Sequence, residues 1–156
     1  MAKILLLLVV SLLSLSSPIL SLSQDPNPSP TTAYDELKES GFPVGLLPTN
    51  VLRYSLNRTS GDFAVDLDGH CRITLPPDNY LASYSERITG KLVERRISDL
   101  DGIRVRAFFR WWSISGIRSS GENLVFEVGV ASAKYASKNF DEIPDCENRN
   151  PKKAAS

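Results

Sequence analysis

The sequence predicts a mainly β, antiparallel domain with one short N-terminal helix, arranged as a meander that forms a sandwich or a partly closed barrel. Apolar and polar residues alternate in short runs, which is the β period. Turn residues such as Asp68-Gly69 and Pro76-Pro77-Asp78-Asn79 separate those runs. The connections are also too short for the crossover helices that a parallel sheet needs. About seven strands at this spacing, with local turns, fit one domain over 33–146 with a single core.

The chain opens with Lys3 and an apolar run from Ile4 to Leu22, broken by Ser11, Ser14, Ser16, Ser17 and Pro18. This is expected to be a secretory signal over 1–23, cut after Ser23 with Ser21 and Ser23 as the small residues before the cut. The alternative is an uncleaved anchor, since a spanning helix needs ~20 apolar residues. Segment 24–32 carries three prolines and no large apolar residue, so it reads as an extended leader. The helix follows. Thr31 or Thr32 caps it, Asp35 and Glu36 suit its positive end, Gly41 ends it and Pro43 lies just beyond. Tyr34 and Leu37 share the face that docks on a sheet. Phe42, Val44, Leu46 and Leu47 then read as packing over a sheet edge or core, with a hydrophobic lid as the functional alternative.

The first strand runs from Val51 to Asn57 with Leu52, Tyr54 and Leu56 on one side, and the second from Asp62 to Leu67 with Phe63, Val65 and Leu67 together. Asp68-Gly69 reads as a hairpin turn into a strand carrying Cys71, Ile73 and Leu75. Pro76 to Asn79 stops that strand and opens another over Tyr80 to Val93, in which Gly90 marks a bulge. Glu94 to Gly102 reads as a connection anchored by Ile97 and Leu100. It leads into the strongest strand, Ile103 to Ile114, and Leu124 to Ser132 is the last. The tail, 147–156, reads as unanchored.

Cys71 and Cys146 are the only cysteines, and on a secretory route a disulfide between them is expected, against two separate thiols. Asn57-Arg58-Thr59 is a complete glycosylation sequon in a turn. Removing Lys3 with the signal leaves 17 basic residues (18 minus 1) against 18 acidic ones, so bulk charge does not point to nucleic acid. No cofactor motif stands out. Asp66-Leu67-Asp68-Gly69 lacks the downstream ligands of a calcium loop, so no metal is expected. His70, the single histidine, lies near Asp66 and Asp68 and a serine could complete a hydrolytic set, but there is no nucleophile elbow: Ser113-Ile114-Ser115-Gly116-Ile117 lacks the first glycine.

The segment Ile103 to Ile114 is the most discriminating surface. Read as one strand, it puts Ile103, Val105, Ala107, Phe109 and Trp111 on one face and Arg104, Arg106, Phe108, Arg110 and Trp112 on the other. Arginine interleaved with aromatics suits an anionic, ring-bearing or amphipathic ligand. Arg87 to Arg118 holds eight basic residues against Glu94, Asp99 and Asp101, a local excess of five (8 minus 3) that attracts lipid headgroups or acidic polysaccharide. A solvated face whose arginine stems shield Phe108 and Trp112 is the bland alternative.

YDELKESGFPVGLLP from Tyr34, ITGK from Ile88, LDGIRV from Leu100, FFRW from Phe108 and FDEIPDC near the end, in this order, resemble the plant family known as domain of unknown function 538. The resemblance spans Ala33 to Cys146 and implies a small, mostly β protein associated with stress responses. For that family a likeness to bactericidal permeability-increasing lipid-binding proteins and an esterase-like activity on chlorophyll have both been proposed. The expectation is therefore a secreted, extracellular, non-enzymatic binding domain for an amphipathic or anionic ligand, lipid-like first and acidic polysaccharide second. The alternatives are an esterase-like hydrolase using His70 and a serine, and a structural or signalling protein.

Overall fold

Thr32 opens the helix. In the computed structural model, which describes residues 32–147, its hydroxyl oxygen accepts the Asp35 N–H at 3.1 Å and donates to the Asp35 carboxylate at 2.8 Å. The expected signal, the leader as far as residue 31 and the tail from 148 lie outside the described residues. Helix α1 (Ala33–Glu39) ends in a Schellman pattern: the Gly41 N–H donates to the Lys38 carbonyl at 3.1 Å and the Phe42 N–H to the Leu37 carbonyl at 2.8 Å. Gly41, at φ +86°, takes the left-handed conformation this stop requires. A 3-10 turn, η1 (Val44–Leu46), follows, and Gly45 lies so close to the chain at Phe140 that a Cβ there would sit 2.3 Å from the Phe140 carbonyl oxygen.

Eight strands form one antiparallel sheet that does not close: β1 (Val51–Leu56), β2 (Asp62–Leu67), β3 (Cys71–Leu75), β4 (Tyr80–Val93), β5 (Arg96–Ala107), β6 (Arg110–Ser120), β7 (Asn123–Val128) and β8 (Ala131–Ala136). Their order is β1-β2-β4-β5-β6-β7-β8, with β3 also on β4. A second 3-10 turn, η2 (Ser137–Phe140), follows β8. The mainly β, antiparallel expectation with one short N-terminal helix holds.

Four expectations about individual strands need correction. Asp68-Gly69 does not reverse the chain: β2 and β3 both run antiparallel to β4, with Asp66 opposite Arg87 and Cys71 opposite Tyr84, so the turn is a kink between two collinear strands. The buried Asn50 supports it, its side-chain amide donating to the Asp68 and Gly69 carbonyls at 3.2 Å each. Glu94 to Gly102 is mostly strand. Positive φ at Asp99 and Gly102 resets the alternation, so Ile97, Leu100 and Ile103, three residues apart, are all buried. Ile103 to Ile114 is two strands, because the chain reverses at Phe108-Phe109, where Ala107 faces Arg110. Both phenylalanines have positive φ, 51° and 63°, the conformation of a tight hairpin turn that costs a non-glycine residue about 1–2 kcal/mol. Leu124 to Ser132 is likewise divided, at Gly129-Val130, between β7 and β8. The expected irregularity at Gly90 is present: the β4–β5 register shifts between Thr89 and Lys91.

The inner face of the sheet has two halves. One, bearing Val65, Ile88, Ile97, Leu100 and Ile117, is covered by Leu37, Leu46 and Leu47 from the N-terminal segment, leaving a void of only about 50 Å³. Burying Leu37, Phe42, Leu46 and Leu47 contributes about 1.5–3 kcal/mol each. A helix this short needs that docking to persist. The buried Glu36 carboxylate also ties α1 down, accepting from the Tyr54 hydroxyl at 3.1 Å and from the Arg58 guanidinium at 2.6 Å. Phe42, Leu46 and Leu47, which the sequence left open between packing and a lid, thus lie in the core, while Val44 is half-buried. Cys71 and Cys146 are bonded, their Cα atoms 5.2 Å apart, and Glu147 is held beyond the bridge by the Thr74 N–H at 3.0 Å.

Candidate functional site

The other half of the inner face is only partly covered: Ile114, Phe126 and Phe140 are buried, while Val105, Trp112, Val128, Ala131 and Ala133 remain open in part. Val105 and Ala107 of β5, Trp112 and Ile114 of β6, Phe126 and Val128 of β7 and Ala131, Ala133 and Tyr135 of β8 line one wall of a cleft of about 410 Å³. Register explains their convergence, because Val105 faces Trp112, Ile114 faces Val128 and Phe126 faces Ala133 across the ladders. Leu75, Pro76 and Tyr80 from the β3–β4 end, with Phe140 from η2, complete the lining. Phe126 makes a tilted ring contact with Phe140 at 5.5 Å and an edge contact with Tyr135 at 6.1 Å, which fixes the floor.

Three turns meet at this end of the sheet: Pro76 to Asn79, Phe108-Phe109 and Gly129-Val130. Each contributes to the cleft, through Pro76, Phe108 and Val130. Trp112 joins two of them. Its indole N–H donates to the Ala107 carbonyl at 3.0 Å, a Cβ on Gly129 would touch its ring at 4.0 Å, and the Arg110 guanidinium lies 5.5 Å from the ring centre. Polar groups in the cleft are few. The Tyr135 hydroxyl is pushed above its ordinary pKa first by burial, then by Tyr80 and Asp78 nearby, so it stays protonated at neutral pH as a hydrogen-bond donor.

The hairpin divides the five residues that the sequence placed on one face. Arg106 faces Trp111 and Arg104 faces Ser113, so Arg104, Arg106 and Trp111 share the outer face, where Arg104 lies 5.9 Å from the Trp111 ring centre. Arg110 and Trp112 share the cleft side with Val105 and Ala107, and Phe108 sits in the turn, 84% exposed. The two-residue reversal breaks the period on which the single face depended. Of the eight basic residues, Arg87 pairs with Asp66, and Arg96 and Arg118 pair with Glu127. Among the described residues Arg104, Arg106 and Arg110 near the tip, and Lys91 and Arg95 at the opposite, β4–β5 end, have no carboxylate within 4.0 Å, so three of these five uncompensated charges lie near the tip.

The other candidates lie elsewhere. Asn57 is exposed in the β1–β2 turn, its side-chain oxygen accepting the Thr59 and Ser60 N–H groups at 2.9 and 3.1 Å. Asp66 is held by Arg53 and Arg87 at 3.0 and 2.8 Å. His70 Nε2 lies 3.1 Å from the Ser83 hydroxyl on the exposed side of β3–β4, and neither residue lines either cavity. The sequence reading missed most of the cleft wall, because Phe126, Val128 and Ile114 look like ordinary core residues.

The match to a family model decides the relationship. It covers residues 33–141 and the family is described as protein of unknown function, DUF538. The chain belongs to the DUF538 family. All eight strands of this DUF538 domain, α1 and both 3-10 turns fall inside the matched span, and Cys146 lies just beyond it. No curated protein and no solved structure matches the chain.

Proposed function

We propose that this protein is a secreted binding domain whose cleft holds the apolar part of an amphipathic, lipid-like ligand. The observation that carries the reading is the partly covered half of the inner face. Its volume of about 410 Å³ falls within the range of small-molecule sites, about 300–1,000 Å³, and its wall is almost wholly apolar. The parts of this wall still open to water, at Val105, Trp112, Val128, Ala131 and Ala133, are apolar, and an acyl or ring system would cover them. Tyr80, Ser132 and Tyr135 offer a few hydrogen-bonding groups, and Arg110 at the hairpin end suits an anionic head group. Acidic polysaccharide is the second partner class, drawn to Arg104 and Arg106 beside Trp111 on the outer face. Mass spectrometry of an organic extract of the protein, purified without detergent from the medium of secreting cells, tests the first reading. A retained amphipathic compound at near-stoichiometric amount is expected. An empty extract together with no uptake of a fluorescent fatty-acid analogue refutes it.

One contact favours a hydrolytic second reading, the 3.1 Å approach of Ser83 Oγ to His70 Nε2. Both side chains lie outside the cleft and outside the void under α1, so this contact stands apart from both cavities described. Fluorophosphonate labelling that disappears in Ser83→Ala would support this alternative. Absence of labelling in the native protein eliminates it.

A further inference from the structure

The β5–β6 hairpin turns on two phenylalanines in left-handed conformations, Phe108 at φ 51° and Phe109 at φ 63°. Asn-Gly fills such a turn without strain, and two aromatic residues do not. The same rings are left in water, 84% and 96% exposed. A backbone-strained turn that also exposes its largest apolar groups gains nothing for the fold, so its advantage lies in contact with something else.

The surroundings identify the chemistry of that contact. Val130, at the tip of the neighbouring β7–β8 hairpin, is fully exposed at the same end of the sheet. Arg106 and Arg110 flank the phenylalanine pair two and one residues away, with Arg104 two residues further back, and Arg104 to Ser120 contains no acid. Near the β3–β4 turn lie Asp78 and Glu147, the latter with its carboxylate held by the Thr74 N–H and hydroxyl at 3.0 and 3.1 Å. Trp111 and Trp112 stand immediately behind the tip, each beneath an arginine. Apolar rings at the extremity, tryptophans next and arginines around them is the order of a bilayer interface read from hydrocarbon to head group. A flat protein partner would meet a protruding tip poorly, and a polysaccharide would leave Phe109 in water.

We propose that this end of the sheet docks on anionic phospholipid bilayers, with Phe108, Phe109 and Val130 entering the interface and Arg104, Arg106 and Arg110 engaging the phosphates. Docking in this orientation places the end of the cleft, marked by Pro76, Phe108 and Val130, against the membrane. An acyl ligand would pass between bilayer and cleft there. That last step rests on the cleft reading above; the docking itself does not.

The test uses the mature secreted protein and flotation with vesicles of phosphatidylcholine alone or with phosphatidylglycerol. Phe109→Gly is the informative variant, since it suits the turn and Phe109 does not line the cleft. The native protein is expected to float with the phosphatidylglycerol vesicles, and Phe109→Gly to bind them about tenfold more weakly. Phe109→Trp should retain binding and show a blue shift of emission on vesicle addition. Arg104→Gln combined with Arg106→Gln and Arg110→Gln should abolish the preference for phosphatidylglycerol. Native protein that floats with neither vesicle, or Phe109→Gly binding as tightly as native, overturns the proposal. So does retention on polygalacturonate without vesicle binding, which assigns the tip to polysaccharide. Loss of fatty-acid uptake with vesicle binding intact would instead defeat the cleft reading alone.

Discussion

Ala133→Trp places an indole inside the cleft and is expected to weaken uptake of an acyl ligand without harming the fold. Ala133 is half-buried on β8, faces Phe126 across the ladder and lines the open volume, not the closed core. An indole laid on the wall covers about 150 Å², most of what the cleft leaves open. At ~25 cal/mol per Å² that denies a ligand about 4 kcal/mol of apolar contact. Only part of buried area is realised as affinity, so a loss of about 2 kcal/mol, near 30-fold in Kd, is the working expectation. Because β8 is an edge strand and the ring enters open space, the ~1–3 kcal/mol penalty of overpacking a closed core does not apply, and Tm should hold or rise. Displacement of a fluorescent fatty-acid analogue reads the affinity, and a thermal melt reads the fold. Unchanged affinity in a folded Ala133→Trp protein refutes the placement of the ligand. If that variant melts early, Ala107→Leu, on β5 of the same wall, repeats the test with a smaller insertion.

Replacing both cysteines with alanine should cost about 4.5 kcal/mol in denaturant unfolding by the chain-entropy relation for a bridge of sequence separation 75; a loss below ~1 kcal/mol contradicts it. Tyr84 is buried, donates to the Leu46 carbonyl at 3.1 Å, and is held by burial well above the ordinary tyrosine range. Below pH ~10 its hydroxyl is protonated whether the chain is folded or not, so pH has no leverage there. Above that pH the unfolded chain releases a proton that the folded chain keeps, and stability should fall by up to ~1.4 kcal/mol per pH unit for this group. Tyr84→Phe should flatten that slope while costing about 1 kcal/mol at neutral pH for the lost hydrogen bond. Equal alkaline slopes in both proteins would exclude Tyr84 as the cause. Protein secreted from eukaryotic cells should carry an enzymatically removable glycan that Asn57→Gln eliminates; an unmodified mass for the native protein rejects occupancy of the sequon.

The helix and its stop were legible because their signals are local: Thr32 caps, Gly41 turns and Phe42 meets Leu37 within one stretch of chain. Strand positions were legible wherever alternation ran uninterrupted, as over Asp62–Leu67 and Cys71–Leu75. Reading failed where the backbone departs from period two. Asp99 and Gly102 bury Ile97, Leu100 and Ile103 at a spacing of three, which looks like a loop. Phe108-Phe109 carries none of the residues that mark a turn, so the hairpin read as one long strand and its two faces were merged. Asp68-Gly69 carries turn residues but only bends the chain, since β4 is long enough to pair with both β2 and β3.

The cleft was hidden for a different reason. Its wall has the composition of a core, and only three-dimensional placement distinguishes an apolar face covered by α1 and η1 from one left partly open beyond Phe140. The arginine and aromatic residues chosen from sequence cluster at the same end of the sheet as the cleft. Their division between cleft side and outer face depends on the two-residue reversal.

Methyl NMR titration of the isotopically labelled protein with a soluble medium-chain fatty acid tests the central claim most directly. Shifts concentrated at Val105, Ile114, Val128 and Ala133, with Ile73 and Ile88 unmoved, are the predicted result. Saturating ligand that leaves those four methyl groups in place, or moves only residues around Ser83, would contradict it.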